Sequence, residues 1–466
     1  MFWARAVANA DSTLPPNQAM PAGAVKIALL VDVALVDDVE LAEEKAPDAE
    51  GGVALCFEHP VTTKHNANIR VPRGNMFTNF RMFSMTSFYA ANRSATIRGA
   101  TTLLAVLCGS LGSCATIPAA QLPTTQQQYQ FVRSGGQGPF TMKKVEVPVP
   151  QPGAHQVLIR VHATSLNRRD IFVLQGQYPV GPRQVIVPLS DGAGEVVALG
   201  SAVTRFHVGD RVAGTFFQNW ISGRAPANFA QGALGGFIDG MLSQFVALDE
   251  SGVVKIPATL SYEEAATLPC AGVTAWNGLF TRGRMQPGDY VLLEGTGGVS
   301  LLGLSLALAD GAKPIITSSH DEKLARAKAL GAIGGVNYLT TPDWEKPVRA
   351  LTDGAGVQQI LEVGGKDTLP HALATLGSGG HVALIGGLSG FGGNVPAMAL
   401  LNANITASGI YVGSRADFEA LNAFVEAHHV KPVIDKVYEF DDAAAAFTAM
   451  EKGESFGKTV IRVSAP

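Results

Sequence analysis

Acidic residues are missing from a long stretch of this chain. Between His59 and Val145 there is no Asp or Glu, although the 466 residues carry 39 of them and a formal net charge of −4. That balance has no basic surplus, so bulk electrostatics give no nucleic-acid surface and no nucleic-acid partner is expected. Cysteine is scarce. Cys56, Cys108, Cys114 and Cys270 form no Cys-x-x-Cys pair, so neither a disulfide framework nor a thiolate zinc site can be read from them. The apolar run before Cys114 is only about a dozen residues, too short to span a bilayer as a resident helix. Charged residues make up 16 % and apolar residues 47 %, enough for large buried sheets, and the length predicts two or three domains.

Residues 1–82 read as a disordered or mis-assigned extension. Asp32, Asp37, Asp38, Glu40, Glu43, Glu44, Asp48 and Glu50 crowd one part of it, and the residues after Glu50 show no clean period. Such a composition cannot build a core on its own. Residues 83–126 read as a signal-like apolar segment and linker. Arg93 and Arg98 precede the apolar run, and small residues come after it, the order of a secretory signal. Leu111-Gly112-Ser113-Cys114 also resembles the lipobox of bacterial lipoproteins, with Met82 or Met85 as the natural start. An apolar helix capping the fold, or chance, are the alternatives. Membrane attachment is expected only if Cys114 is lipidated. Gln121 to Gly138 is polar and rich in Gly and Gln, and reads as a linker.

From about 127 to 271 short alternating runs recur between turn signals: Gln156 to Ala163, Gly192 to Gly200, Val208 to Gly214. They predict a compact all-β unit, a partly closed barrel. From about 272 to 412 the pattern changes. The apolar run Tyr290-Val-Leu-Leu leads through Glu294 into Gly295-Thr296-Gly297-Gly298-Val299-Ser300 and then an apolar helix. Gly295 would turn the chain sharply, and Gly297 would let backbone approach a pyrophosphate seated on the helix N-terminus. Strand and helix patterns then alternate through Lys313–Ser318, Asp321–Gly331, Val336–Tyr338, Ile360–Val363, His381–Ile385 and Ile405–Val412. Mostly unbroken apolar strands between helices predict a parallel sheet covered on both faces. Residues 413–466 return to the first unit.

Several stretches resemble the medium-chain dehydrogenase/reductase superfamily. They are Ser165-Leu-Asn167-Arg-Arg-Asp170, Gly176-Gln-Tyr178-Pro179, Ser190-Asp-Gly-Ala-Gly-Glu195, Phe206-His-Val-Gly-Asp-Arg-Val212 and Glu264-Ala-Ala-Thr-Leu-Pro-Cys270-Ala-Gly-Val-Thr274. Gly457-Lys458-Thr-Val-Ile-Arg-Val463 closes the chain in the family's manner. The likeness covers roughly residues 127–466 and is nearest the zinc-free branch, the quinone-oxidoreductase-like and alcohol-dehydrogenase-like enzymes. It implies an α/β fold: a Rossmann doubly wound sheet plus a GroES-like β-barrel catalytic domain. It also implies no zinc. Zinc members carry a first Cys ligand just before the Asp of the strand–turn, where Arg168 and Arg169 precede Asp170. A Gly-His-Glu supplies the second ligand where Ser190-Asp191 stands, and only Cys270 occupies the third position. One thiol without partners does not hold zinc.

The second nucleotide strand ends in Ser318-Ser319 rather than an acid, with Lys323 about one helical turn on and Tyr338 after the next strand. A carboxylate there would accept from a ribose 2′-OH, whereas hydroxyls and an ammonium suit a 2′-phosphate, so NADP(H) is expected over NAD(H). The alternative for Lys323 is an ordinary surface lysine. Thr274, Gly295, Thr296, Gly297, Gly298, Val299, Gly386, Gly387, Leu388, Val412 and Ser414 complete the expected cofactor contacts. Hydride delivery to a quinone or conjugated enone suits a site with no metal. Asn167 first and Tyr178 second are the expected donors to the developing oxyanion, unless Asn167 only ties down its own turn. An alcohol dehydrogenase of the same fold and a non-catalytic nucleotide-binding protein remain open. A small electrophile and a second copy of the chain are the expected partners. Cofactor supply favours the cytoplasm; export or a lipid anchor is expected if the 85–114 segment acts as a signal.

Overall fold

The computed structural model describes residues 122–135, 138–390, 392, 395 and 397–465. The acidic cluster, the 85–114 segment and Cys56, Cys108 and Cys114 lie outside the described residues, so the extension, signal and lipidation readings do too.

Two-residue periodicity builds the catalytic half. Strand β1 (Thr125–Val132) pairs antiparallel with β2 (Thr141–Pro148). This corrects the linker reading of 121–138. Tyr129 and Phe131 alternate inward, and the buried Gln126 spends its carbonyl on the Phe245 N–H at 2.6 Å and the Ser243 hydroxyl at 2.9 Å. Glutamines with fixed partners can occupy a strand that composition alone reads as linker. Next come β3 (Gln156–Ser165), the short helix α1 (Arg168–Leu174), β4 (Val185–Ile186), β5 (Asp191–Leu199), β6 (Arg211–Gly214), β7 (Phe245–Asp249) and β8 (Val253–Lys255). Ile159, Val161, Val196 and Val212 from β3, β5 and β6 are fully buried in one core.

The nucleotide half is a six-stranded parallel sheet. Its elements are β9 (Tyr290–Leu293), α2 (Gly298–Ala309), β10 (Lys313–Ser318), α3 (Asp321–Ala329), β11 (Gly334–Asn337), β12 (Val357–Glu362), β13 (Leu376–Leu384) and β14 (Thr406–Gly409). Spatial order is β11-β10-β9-β12-β13-β14, so the chain starts in the middle and reverses direction between β9 and β12. That reversal is a topological switch point, the place where open α/β sheets bind ligands. The expected doubly wound sheet is therefore present.

Helix α2 is apolar on nearly every side because both halves cover it. Leu301, Leu302, Leu304 and Leu306 share a core with Leu293 of β9 and with Ala163 and Phe217 of the catalytic half. Before it, Leu268–Gly272 and Asn277–Arg282 form π-type turns around the short helix Val273–Trp276. Wide turns of this kind re-aim side chains at functional sites. After β14 come α4 (Arg415–His428), β15 (Ile434–Glu439), α5 (Ala443–Lys452) and β16 (Lys458–Arg462). β16 inserts between β15 and β3 and so joins the sheet that holds β3, β5, β6 and β8. Among the described residues no helix is long and apolar enough to cross a membrane.

Candidate active site at the interdomain cleft

The glycine turn follows β9 directly. Gly295 has φ +72°, a left-handed conformation that suits glycine, and Gly297 caps α2. A Cβ at Gly295 or Gly297 would meet nothing within 4 Å, so space stands open in front of both. Gly298 differs: a Cβ there would lie 2.6 Å from Cδ of Lys458. Ser300, the last residue of the turn, is buried and donates its hydroxyl to the Glu294 carbonyl at 2.5 Å. Close helix–strand packing falls one turn later, at Gly303, where a Cβ would come within 2.7 Å of Leu361 and 3.0 Å of Leu293.

At the end of β10, Ser318 is buried and its carbonyl accepts from the Tyr338 N–H at 3.2 Å. The Ser319 hydroxyl meets His320 Nδ1 at 2.7 Å. Ser318, Ser319 and Tyr338 therefore gather at one strand end. Lys323 leans elsewhere: its ammonium donates to the carbonyls of Ser455 at 3.2 Å and Gly453 at 3.4 Å, and burial pulls it below the ordinary lysine range.

Two carboxyl groups meet at the switch point. Glu294 follows β9, and Glu362 ends β12; both are buried. Glu294 accepts from the N–H groups of Val363 at 3.2 Å and Gly364 at 3.3 Å, and Glu362 from Gly365 N–H at 2.8 Å and the Thr368 hydroxyl. Burial first, then the charge of Glu362 and a hydrogen bond with it, push Glu294 well above the carboxylate range. Gly386 packs against this loop, with its Cβ position 2.2 Å from the Val363 carbonyl, while Leu388 is exposed.

Across the cleft the catalytic half presents the opposite arrangement. Lys458, the first residue of β16, is buried, and its ammonium donates to the Leu166 carbonyl at 2.8 Å, Asn167 Oδ1 at 2.7 Å and Asp191 Oδ2 at 3.3 Å. Asp191 also accepts from the hydroxyls of Ser190 at 2.8 Å and Ser165 at 3.1 Å. With Oδ1 of Asn167 held by an ammonium, its Nδ2 must face the other way, and it lies 3.5 Å from the Ser190 hydroxyl. Cys270 is close enough to feel Asp191 and Lys458, and burial pushes its thiol far above the ordinary range. Asp170 caps α1 by accepting from the Asn167 N–H at 2.8 Å; burial raises its carboxyl to about 6 against the pull of Arg169.

Tyr178 meets Tyr411, which follows β14, hydroxyl to hydroxyl. Burial raises the Tyr411 phenol, and Arg169 partly offsets this. The Thr274 hydroxyl is donated to the Cys270 carbonyl at 2.7 Å. Asn277 donates to the Val412 carbonyl at 2.8 Å and so holds that β-branched residue at φ +56°, a rare backbone conformation for valine. Ser414 caps α4: its hydroxyl donates to Asp417 at 2.6 Å and accepts the Asp417 N–H at 3.2 Å.

Comparison with known proteins agrees with this architecture. The alcohol dehydrogenase GroES-like domain matches residues 153–258, and the zinc-binding dehydrogenase family matches residues 298–427. A zinc-type alcohol dehydrogenase-like protein of Schizosaccharomyces pombe is 42 % identical over 333 residues, 69 % of this chain and 95 % of that protein. The chain belongs to the medium-chain dehydrogenase/reductase superfamily. A quinone oxidoreductase structure from Pseudomonas syringae is 30 % identical with a TM-score of 0.61, covering 72 % of this chain and all of that one. A quinone oxidoreductase-like protein 2 homolog of Nematostella vectensis is 30 % identical, covering 73 % of this chain and 90 % of that protein.

As a member of that superfamily the protein is an NAD(P)H-dependent oxidoreductase. Lys458, the Glu294–Glu362 pair, Tyr411 and His320 lie among the candidate site residues, and sequence patterns alone do not single them out. A lysine opening an otherwise apolar strand, Lys458-Thr-Val-Ile, is the one local signal for the first. The carboxyl pair has no local signal, because the fold brings it together.

Proposed function

We propose that this protein is a zinc-independent, NADP(H)-dependent reductase of quinones or conjugated enones. The observation that carries the reading is the buried Lys458 ammonium, bonded to Asn167 and Asp191 beside Cys270. A catalytic zinc needs several anionic or imidazole donors around an open position. Here the carboxylate of the set is already engaged by two hydroxyls and a resident cation, and the thiol is held protonated by burial. Among the described residues no three His, Cys, Asp or Glu side chains come together as a metal cluster. The residues present do not fit zinc.

Bound NADPH supplies the hydride. The protein's own groups do the rest. Gly295, Gly297 and the α2 N-terminus leave room for a pyrophosphate and offer it N–H donors. Ser318, Ser319 and Tyr338 are the groups we assign to the adenosine ribose phosphate; Lys323, tied to the 453–455 loop, supports the site from its edge. Lys458 fixes the amide of Asn167 so that Nδ2 can donate to an acceptor oxygen as it gains charge. Tyr178 and Tyr411 close the outer side. The exposed strand β14, flanked by exposed Met398 and Leu401, offers an unpaired sheet edge to a second copy of the chain, giving a homodimer.

Three measurements test this. Metal analysis should find substoichiometric zinc, and chelation should leave activity intact; stoichiometric zinc with alcohol oxidation would support an alcohol dehydrogenase instead, in keeping with the name of the Schizosaccharomyces pombe relative. Comparison of NADPH with NADH over quinones and enones should favour NADPH. Ser318→Asp should reverse that preference by about tenfold or more, since it sets a carboxylate against a phosphate.

A further inference from the structure

Arg169 is a buried cation of the catalytic half that the reaction outlined above does not use. It is the second residue of α1 and is buried at 9 % exposure. Its guanidinium lies between two aromatic faces, with its central carbon 4.7 Å from the Phe216 ring centre and 5.1 Å from that of Tyr178. Nη1 donates to the Leu234 carbonyl at 2.8 Å. Nε and Nη2 are buried and have no hydrogen-bond partner.

Those two nitrogens form one edge of the guanidinium, the edge whose paired N–H groups match the two oxygens of a carboxylate. The nearest anion does not take that place. Asp170 approaches Nη1, already committed to Leu234, and at 3.6 Å it makes no hydrogen bond there. Leaving two guanidinium donors buried and unpaired is costly, so such an edge calls for a ligand. Gly236 packs directly against this edge: a Cβ at that position would sit 2.5 Å from Nη2. The place is also right. Arg169 acts electrostatically on Cys270 of the catalytic half and on Tyr411, which follows β14 of the nucleotide half, so it lies where the two halves meet.

We propose that the electron acceptor carries a carboxylate, gripped in bidentate fashion by Nε and Nη2 of Arg169 when the Tyr178–Tyr411 contact opens. Arg169 is then a specificity-determining residue, and the preferred substrates are anionic enones or quinones. This rests on the reductase reading above, and the test separates the two.

Turnover with NADPH is compared for 3-benzoylacrylate and its methyl ester, two enones differing in one charge. The acid should be favoured in kcat/KM by about tenfold or more, most of it in KM. Arg169→Lys keeps a buried cation but loses the fork, and Gly236→Ala puts a methyl group in front of Nη2; each should bring the acid-to-ester ratio towards one. A ratio at or below one in the unaltered protein, or a ratio that neither variant moves, overturns the proposal. Reduction of neither compound sinks the reductase reading alone. The carboxylate site is then decided by calorimetry with NADP+ present: cinnamate binding more tightly than cinnamamide, and losing that advantage in Arg169→Lys, supports it, and equal binding refutes it.

Discussion

Two buried charged clusters flank the glycine turn, and they are built on opposite principles. On the catalytic side, Lys458 and Asp191 neutralise each other, and hydroxyls and a carbonyl satisfy the remaining valences. On the nucleotide side, Glu294 and Glu362 put two acids together with no cation between them. The first cluster is locked by opposite charge. In the second, burial and the neighbouring acid push Glu294 well above the carboxylate range. Both lie at the boundary between the halves, so the glycine turn rests between a saturated ion pair and a buried pair of acids.

Removing one partner from the locked cluster should have the largest effect. Lys458→Met strands a buried carboxylate and frees the Asn167 amide, so stability should fall by about 3–5 kcal/mol. Denaturant unfolding measures the loss, and kcat should drop with it; a variant of unchanged midpoint and activity would remove the ammonium from both roles.

Asp170 provides the next test, because it belongs to the catalytic side yet behaves like the acids opposite. Its folded-state carboxyl sits near 6 rather than 3.8, so its contribution is full below pH 4 and is lost as pH rises through 6. The loss amounts to about 3 kcal/mol. Asp170→Asn should remove that part of the slope when unfolding free energies are compared at pH 4.5 and pH 7.5. Parallel slopes for the two proteins would show that Asp170 titrates normally.

Relieving the paired acids should have the smallest effect. Glu294 is also raised, so its ionisation works against the folded state as pH rises. Glu294→Gln keeps the shape and removes the titration, giving a gain of about 1 kcal/mol on the alkaline side. Thermal melts at pH 6 and pH 9 check it: the gain should appear at the higher pH and shrink at the lower.

The same contrast explains what could be read from the sequence. The turn from Gly295 to Ser300, the strands around it and the absence of an acid at Ser318 are local patterns, and the parallel sheet is legible from them. The catalytic barrel is legible through alternation, except at Thr125–Val132, where glutamines with buried partners look like a linker to any compositional reading. The clusters themselves are not legible. Lys458 reaches Leu166 across 292 residues, and Glu294 reaches Val363 across 69. Periodicity reports which face of an element is buried, and says little about which charge waits there.

The position of β16 has a consequence for how the protein is made. β3 completes its pairing only when β16 arrives, with Val460 opposite Ser165, whereas the nucleotide sheet is contiguous from Tyr290 to Gly409. Domains fold as units during synthesis, and long-range pairings come late. The nucleotide sheet should therefore close on the ribosome first, with the catalytic sheet waiting, one central strand short, until the stretch that also carries Lys458 emerges. Assembly of the last strand and completion of the candidate site are then a single event.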